Sequence, residues 1–156
     1  MSYKIIVDGA SLKFSSAHFI VGHEKCGRIH GHNFLVSVSI STPALNEKYF
    51  VMDFIDVKKH IRNIISSLDH KLLVPSNATN LKLQENEENI KIEYQGKRYS
   101  LPLSDVCMLP LPAITSEMLA RYFYDSLVLI LRKSINNFSL KVKIGETPSS
   151  FAEYGE

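Results

Sequence analysis

The stretch Asn33-Phe34-Leu35-Val36-Ser37-Val38-Ser39-Ile40-Ser41 sets Phe34, Val36, Val38 and Ile40 at every second position. That is the period of a strand with one face buried. Just before it stands Cys26-Gly27-Arg28-Ile29-His30-Gly31-His32. If the backbone is extended there, His30 and His32 point the same way, because side chains alternate across a strand. One strand then brings two imidazoles to one point, and a neighbouring strand can bring a third. His18, in Ser15-Ser16-Ala17-His18-Phe19, stands upstream. Three neutral nitrogen ligands with an open fourth position describe a catalytic zinc site, whereas structural zinc is closed by four protein ligands. Cys26 is near enough in sequence to be either a fourth ligand or a base. The competing reading is that His-x-His pairs are commonly solvated, and that a histidine in apolar company, such as His18, is commonly a satisfied core residue.

The 156 residues are enough for one domain, 1–156, with a core that needs no disulfide staples. A net charge of +2, from 18 basic and 16 acidic residues, gives no argument for nucleic acid or a membrane surface as partner. No apolar run approaches the roughly 20 residues of a membrane span. Tyr3-Lys4-Ile5-Ile6-Val7 reads as a strand rather than as the apolar region of a signal peptide, so a cytoplasmic location is expected. In such a reducing compartment Cys26 and Cys107 are expected to stay unpaired. Cys107, in Val106-Cys107-Met108-Leu109, reads as a small buried hydrophobe, whereas Lys25 and Arg28 give Cys26 cationic surroundings that favour a thiolate.

Outward from the central strand, residues 3–8 and 12–19 read as extended segments around an Asp8-Gly9-Ala10 turn. Tyr49-Phe50-Val51-Met52 reads as a short extended stretch, followed by a helix that Asp53 or Asp56 caps. That helix carries Val57, Ile61, Ile64, Ile65 and Leu68 at helical spacing and closes at Leu68-Asp69-His70-Lys71. Residues 76–89 read as a loop. A hairpin follows, Ile90–Tyr94 and Arg98–Leu101 about Gln95-Gly96-Lys97. Thr115-Ser116-Glu117 opens a second amphipathic helix with Leu119, Tyr122, Phe123, Leu127, Ile130 and Leu131, and Leu140–Ile144 is the last strand. The order predicts an α+β domain: an antiparallel sheet with two helices on one face. Its other face needs cover, from barrel closure or from an oligomer.

The run Gly22-His23-Glu24-Lys25-Cys26-Gly27-Arg28-Ile29-His30-Gly31-His32-Asn33-Phe34 resembles the 6-pyruvoyltetrahydropterin synthase / 6-carboxytetrahydropterin synthase family. Further pieces match in order: Phe14-Ser15-Ser16-Ala17-His18, Val51-Met52-Asp53-Phe54, Leu68-Asp69-His70-Lys71, Thr115-Ser116-Glu117 and Gly145-Glu146-Thr147. The resemblance covers residues 3–75 and 112–156. It implies a tunnelling fold, a four-stranded antiparallel sheet with two helices that trimerises into a barrel, two trimers stacking as a homohexamer. It implies Zn2+ on His18, His30 and His32, with Cys26 as general base. Asp69 and His70 then form the proton-moving pair, reaching the site from a neighbouring subunit. Glu146 anchors the pterin, supported by Thr115 and Glu117.

These residue types suit the chemistry the resemblance implies. The family substrate is a small molecule, 7,8-dihydroneopterin triphosphate, whose hydroxyls can meet a metal with an open position. A carboxylate can accept two donors from the guanidine-like edge of a pterin. An Asp beside a His orients the imidazole for acid–base work. Taken singly, Asp69, Glu117 and Glu146 also read as surface or helix-end charges, and Lys25, Arg28 and Lys71 as solvated bases that could meet the triphosphate.

The three residues between Cys26 and His30 resemble the 6-carboxytetrahydropterin synthase branch, which serves 7-deazaguanine (queuosine or archaeosine) biosynthesis. The expectation is a zinc-dependent carbon–carbon lyase that makes 6-carboxy-5,6,7,8-tetrahydropterin and releases acetaldehyde and triphosphate. The alternatives are a 6-pyruvoyltetrahydropterin synthase, which eliminates triphosphate from the same substrate, and a non-catalytic zinc- or pterin-binding protein. Two features depart from the family pattern. Residues 77–111 form an insertion, expected as a surface hairpin, and Glu24 is an extra residue ahead of Lys25-Cys26.

Overall fold

Strand β3 (His30–Thr42) starts earlier than its apolar alternation, at the first histidine of the His-x-His pair. The structure is a computed structural model that describes residues 1–9 and 11–156. The remaining elements, in chain order, are β1 (Tyr3–Val7), β2 (Lys13–His18), α1 (Phe54–Leu68), β4 (Leu72–Pro75), β5 (Lys82–Glu85), β6 (Asn89–Tyr94), β7 (Lys97–Pro102), β8 (Val106–Leu109), α2 (Ser116–Leu131), β9 (Ser139–Thr147) and β10 (Ser150–Gly155). They group into two compact units, one of Met1–Phe14, Asn33–Ser67 and Ser116–Glu156, the other of Ser15–His32 and Leu68–Thr115. The turn expected at Asp8-Gly9-Ala10 has Gly9 at φ 111°, where glycine is free of a Cβ clash, while Ala10 lies outside the described residues.

In the first unit β3 pairs antiparallel with β1 (Ile5 opposite Ile40) and with β9 (Val38 opposite Val142), and β10 folds back antiparallel on β9. Phe34, Val36, Val38 and Ile40 are buried, as are Leu140, Val142 and Ile144 of β9, so the period-two reading holds. The opposite face is polar: Lys141 and Lys143 lie 3.5 and 3.3 Å from the Glu153 carboxylate of β10. Helix α2 packs against β9 and β10 with Leu119, Ala120, Phe123, Leu127 and Leu131 buried. Phe14 stacks between Phe34 and Phe123, with ring centroids 5.0 and 6.0 Å away. Helix α1 begins where Asp53 accepts the Ile55 N–H at 2.8 Å, so Asp53 is the cap.

In the second unit β4 pairs parallel with β2 and with β8, so the sheet pairing is mixed rather than wholly antiparallel. A parallel pair needs a long crossover, and the insertion supplies it between β4 and β8. That insertion forms a three-stranded antiparallel sheet, β5-β6-β7, turning at Gln95 and Gly96, both at positive φ. It is a sheet rather than a hairpin, with β5 and β7 exposed or half-buried, and it buries Ile90, Ile92 and Tyr94 against Phe19, Leu72 and Val74. Residues 82–85, expected within a loop, are therefore a strand, because Lys82–Glu85 pair with Ile90–Glu93.

Tyr49–Met52 is a turn instead of an extended stretch. The Asn46 side chain accepts the Lys48 and Phe50 N–H groups at 2.9 and 3.0 Å, and Tyr49 takes φ 61°. No helix of the described residues is long and apolar enough to cross a membrane.

Candidate active site

Alternation along β2 buries Phe14, Ser16 and His18, the last completely. A fully buried imidazole needs a partner for each polar atom that water no longer serves. His18 Nδ1–H donates to the Ile114 carbonyl at 2.8 Å. Since a carbonyl only accepts, this bond assigns the proton to Nδ1 and the lone pair to Nε2. His30, at the start of β3, repeats the device: its Nδ1–H donates to the Arg28 carbonyl at 2.8 Å.

The three rings converge. Centroids of His18 and His30 are 4.5 Å apart, those of His18 and His32 5.2 Å, and those of His30 and His32 5.0 Å. One nitrogen from each lies within 4.8 Å of the other two. Among the described residues no Cys, Asp or Glu joins this group. The donor set fits a transition metal held by three neutral imidazoles, two of them oriented from behind by carbonyls. Three imidazoles suit several ions, zinc among them. Cys26 stands outside the group, half-buried and a free thiol, as is Cys107. Cys107 is half-buried too, and burial pushes its thiol up despite the opposing charge of Lys71.

Cys26 sits on the loop between β2 and β3, which closes on itself. The Ile20 N–H donates to the Cys26 carbonyl at 2.8 Å and the Gly27 N–H to the His23 carbonyl at 2.9 Å. The Cys26 N–H donates to Nδ1 of His23 at 3.0 Å, a partner that spacing alone did not single out.

Asp69 and His70 follow α1 directly. Asp69 accepts the Ser15 N–H on Oδ1 at 2.8 Å and the His70 Nδ1–H on Oδ2 at 2.8 Å. The Ser15 amide is the main cause that holds its carboxyl below the usual range; desolvation opposes this and the His70 hydrogen bond adds to it. His70 takes φ 58° and its N–H donates to the Ser15 carbonyl at 2.7 Å. The pair is thereby locked to β2, with the imidazole of His70 largely exposed at 81%.

Thr115 is half-buried and ends the second unit. Glu117 is exposed in the first turn of α2, and Glu146 is half-buried on β9, both in the first unit. Within the second unit the three histidines meet one another, and Asp69 meets His70. Lys25 and Arg28 are exposed, and the Lys71 ammonium donates to the Ser104 carbonyl.

A family profile described as 6-pyruvoyl tetrahydropterin synthase matches residues 10–156, almost the whole chain. The chain belongs to this family. It is an enzyme, for its relatives carry the names of tetrahydropterin synthases. It is 30% identical to the 6-carboxy-5,6,7,8-tetrahydropterin synthase of Haemophilus influenzae over 153 residues, covering 92% of this chain and 94% of that one. The protein of the same name from Aquifex aeolicus is also 30% identical, over 85% of this chain and 76% of that one. Among solved structures, the 6-pyruvoyl tetrahydropterin synthase of Plasmodium falciparum superposes with a TM-score of 0.89 at 27% identity, over 99% of this chain and 98% of that one. The Plasmodium vivax enzyme does so with a TM-score of 0.89 at 27% identity, over 100% and 98%.

Proposed function

We propose that this tetrahydropterin synthase is a zinc-dependent lyase converting 7,8-dihydroneopterin triphosphate to 6-carboxy-5,6,7,8-tetrahydropterin, with acetaldehyde and triphosphate as the other products. The observation that carries this reading is the convergent group of His18, His30 and His32, with Nδ1 of His18 and of His30 committed to backbone carbonyls. The three-residue gap between Cys26 and His30, and the names of the bacterial relatives, favour the 6-carboxy product.

His18, His30 and His32 would hold the ion, which when bound supplies Lewis-acid polarisation of the substrate's side-chain oxygens. Cys26 takes a proton from the substrate side chain as general base. His70 carries protons in and out at Nε2, because Asp69 keeps the other ring proton on Nδ1. Glu146 accepts the paired N–H donors of the pterin edge and so orients the ring, with Thr115 and Glu117 as supporting residues. Lys25 and Arg28 are available for the triphosphate.

In this reading the chain works as a homohexamer of two trimers, each a barrel, in which Asp69 and His70 serve a neighbouring subunit's metal. The polar sheet face of Lys141, Lys143 and Glu153 suits a water-filled lumen. Two free thiols suit the cytoplasm, and 7-deazaguanine biosynthesis is the pathway that uses the product.

The test is incubation of zinc-loaded protein with dihydroneopterin triphosphate and identification of the product by mass. A 6-carboxy product with acetaldehyde is expected. A 6-pyruvoyl product would transfer the chain to the second reading, which the Plasmodium structures favour. Pterin binding without turnover would overturn both.

A further inference from the structure

The inserted sheet reaches the loop that carries Cys26, and it does so with polar atoms. Tyr94, at the end of β6, is 2% exposed and stacks on Phe19 with centroids 5.5 Å apart. Its hydroxyl accepts the Gly22 N–H at 3.0 Å and lies 3.4 Å from the Ile20 carbonyl, to which it donates. Across the turn, the Lys97 ammonium donates to the Gly27 carbonyl at 3.0 Å, with its nitrogen 5.6 Å from the Tyr94 ring centroid. The two side chains thus grip both ends of the loop. Between them lie the self-closing bonds from the Ile20 N–H to the Cys26 carbonyl and from the Gly27 N–H to the His23 carbonyl.

Gly27 records how close the grip is. A Cβ there would be driven into the His23 carbonyl and to 2.7 Å from the Tyr94 hydroxyl. The Gly27 carbonyl held by Lys97 lies in the chain between Cys26 and Arg28, whose carbonyl orients His30. Turning that peptide would re-aim both. For a group that must meet a substrate proton, a displacement of about 1 Å can cost about 10²-fold in rate.

The geometry points to Tyr94 and Lys97 as positioning residues that hold the Cys26 loop in its working conformation. The insertion is, on this account, a brace for the thiol. The role assigned to Cys26 rests on the proposed function; the brace itself rests on the bonds described.

The experiment uses full-length protein in a Cys107→Ser background, so that iodoacetamide reports on Cys26 alone. Tyr94→Phe keeps the ring and removes the hydroxyl; Lys97→Met keeps the stem and removes the donor; Lys97→Arg restores a donor. Metal content, kcat, KM and the alkylation rate at fixed pH are measured for each. Tyr94→Phe and Lys97→Met should keep full metal, lower kcat about tenfold with KM within about twofold, and change the alkylation rate several-fold. Lys97→Arg should recover most of both. Wild-type kcat and alkylation in the Tyr94→Phe/Lys97→Met double variant would overturn the inference. So would a loss of metal, kcat and KM together that Lys97→Arg fails to repair, which is the mark of a merely structural role. If the parent protein itself turns over no pterin, the proposed function fails, and the alkylation rates alone decide the brace.

Discussion

Replacing Asp69 by Asn tests the acid–base pair with almost no change of shape. The carboxylate serves two donors, the Ser15 N–H and the His70 Nδ1–H, each at 2.8 Å. An amide offers one oxygen and one NH2 group. If the oxygen stays on Ser15, the NH2 faces His70 Nδ1 and requires a lone pair there. The ring proton then moves to Nε2, the tautomer opposite to the one that Asp69 enforces. Stability should suffer little: the Asp69 side chain is 38% exposed, and solvent screening limits such a pair to about 0–1 kcal/mol. The rate should suffer much, since a correctly protonated acid–base group contributes about 10²–10⁴-fold. Turnover of dihydroneopterin triphosphate, with nitrogen NMR of the His70 ring, reads both effects.

The pH behaviour has a definite sign. Asp69 has a folded pKa below its unfolded value of about 3.9, so its stabilising contribution is complete above that value and is lost as pH falls through the lower, folded one. Asp69→Asn should therefore flatten the acid limb of stability below about pH 4 and lower stability at neutral pH by that small contribution, without changing its slope there. A variant with kcat within about threefold of wild type and an unchanged tautomer would refute the reasoning, because the acid–base contribution would then be missing.

The double variant His30→Ala/His32→Ala should lose stoichiometric zinc by elemental analysis, because a three-ligand site has no spare protein donor; full zinc content would refute the centre. Cys26→Ala should keep its zinc and lose about 10²–10⁴-fold in kcat; loss of the metal would make the thiol a ligand instead. Phe14→Ala removes a ring stacked on Phe34 and Phe123 and 1% exposed, and should cost about 3–5 kcal/mol in denaturant titration. A cost below about 1 kcal/mol would contradict the packing described.

Where one periodicity ran uninterrupted, the sequence was a good guide. Phe34 to Ile40 announced β3, and the stripes of α1 and α2 announced the helices, because each element buries one face and leaves the other wet. β4 was invisible for the opposite reason. Leu72, Leu73, Val74 and Pro75 are all buried, so no alternation marks them, and four residues are too few to tell a strand from a loop. The histidine group was legible in the same local way, since His30 and His32 need only strand spacing to face one point. The groups that orient it were not. The Ile114 carbonyl that fixes His18 lies 96 residues away in the chain, and a backbone carbonyl has no letter in the sequence. Tyr94 and Lys97 read as an ordinary hairpin end, for nothing local ties them to Gly22 or Gly27.

His70 occupies the position just past the end of α1 where the chain turns left-handed, at φ 58°, a place that glycine fills without a Cβ clash and that costs another residue about 1 kcal/mol. On backbone grounds alone, glycine is the better residue there. Directed evolution of this protein for heat resistance alone would therefore reward the loss of the imidazole. The hardiest clones from such a campaign should be enriched in glycine at position 70, and those clones should be the least able to move a proton.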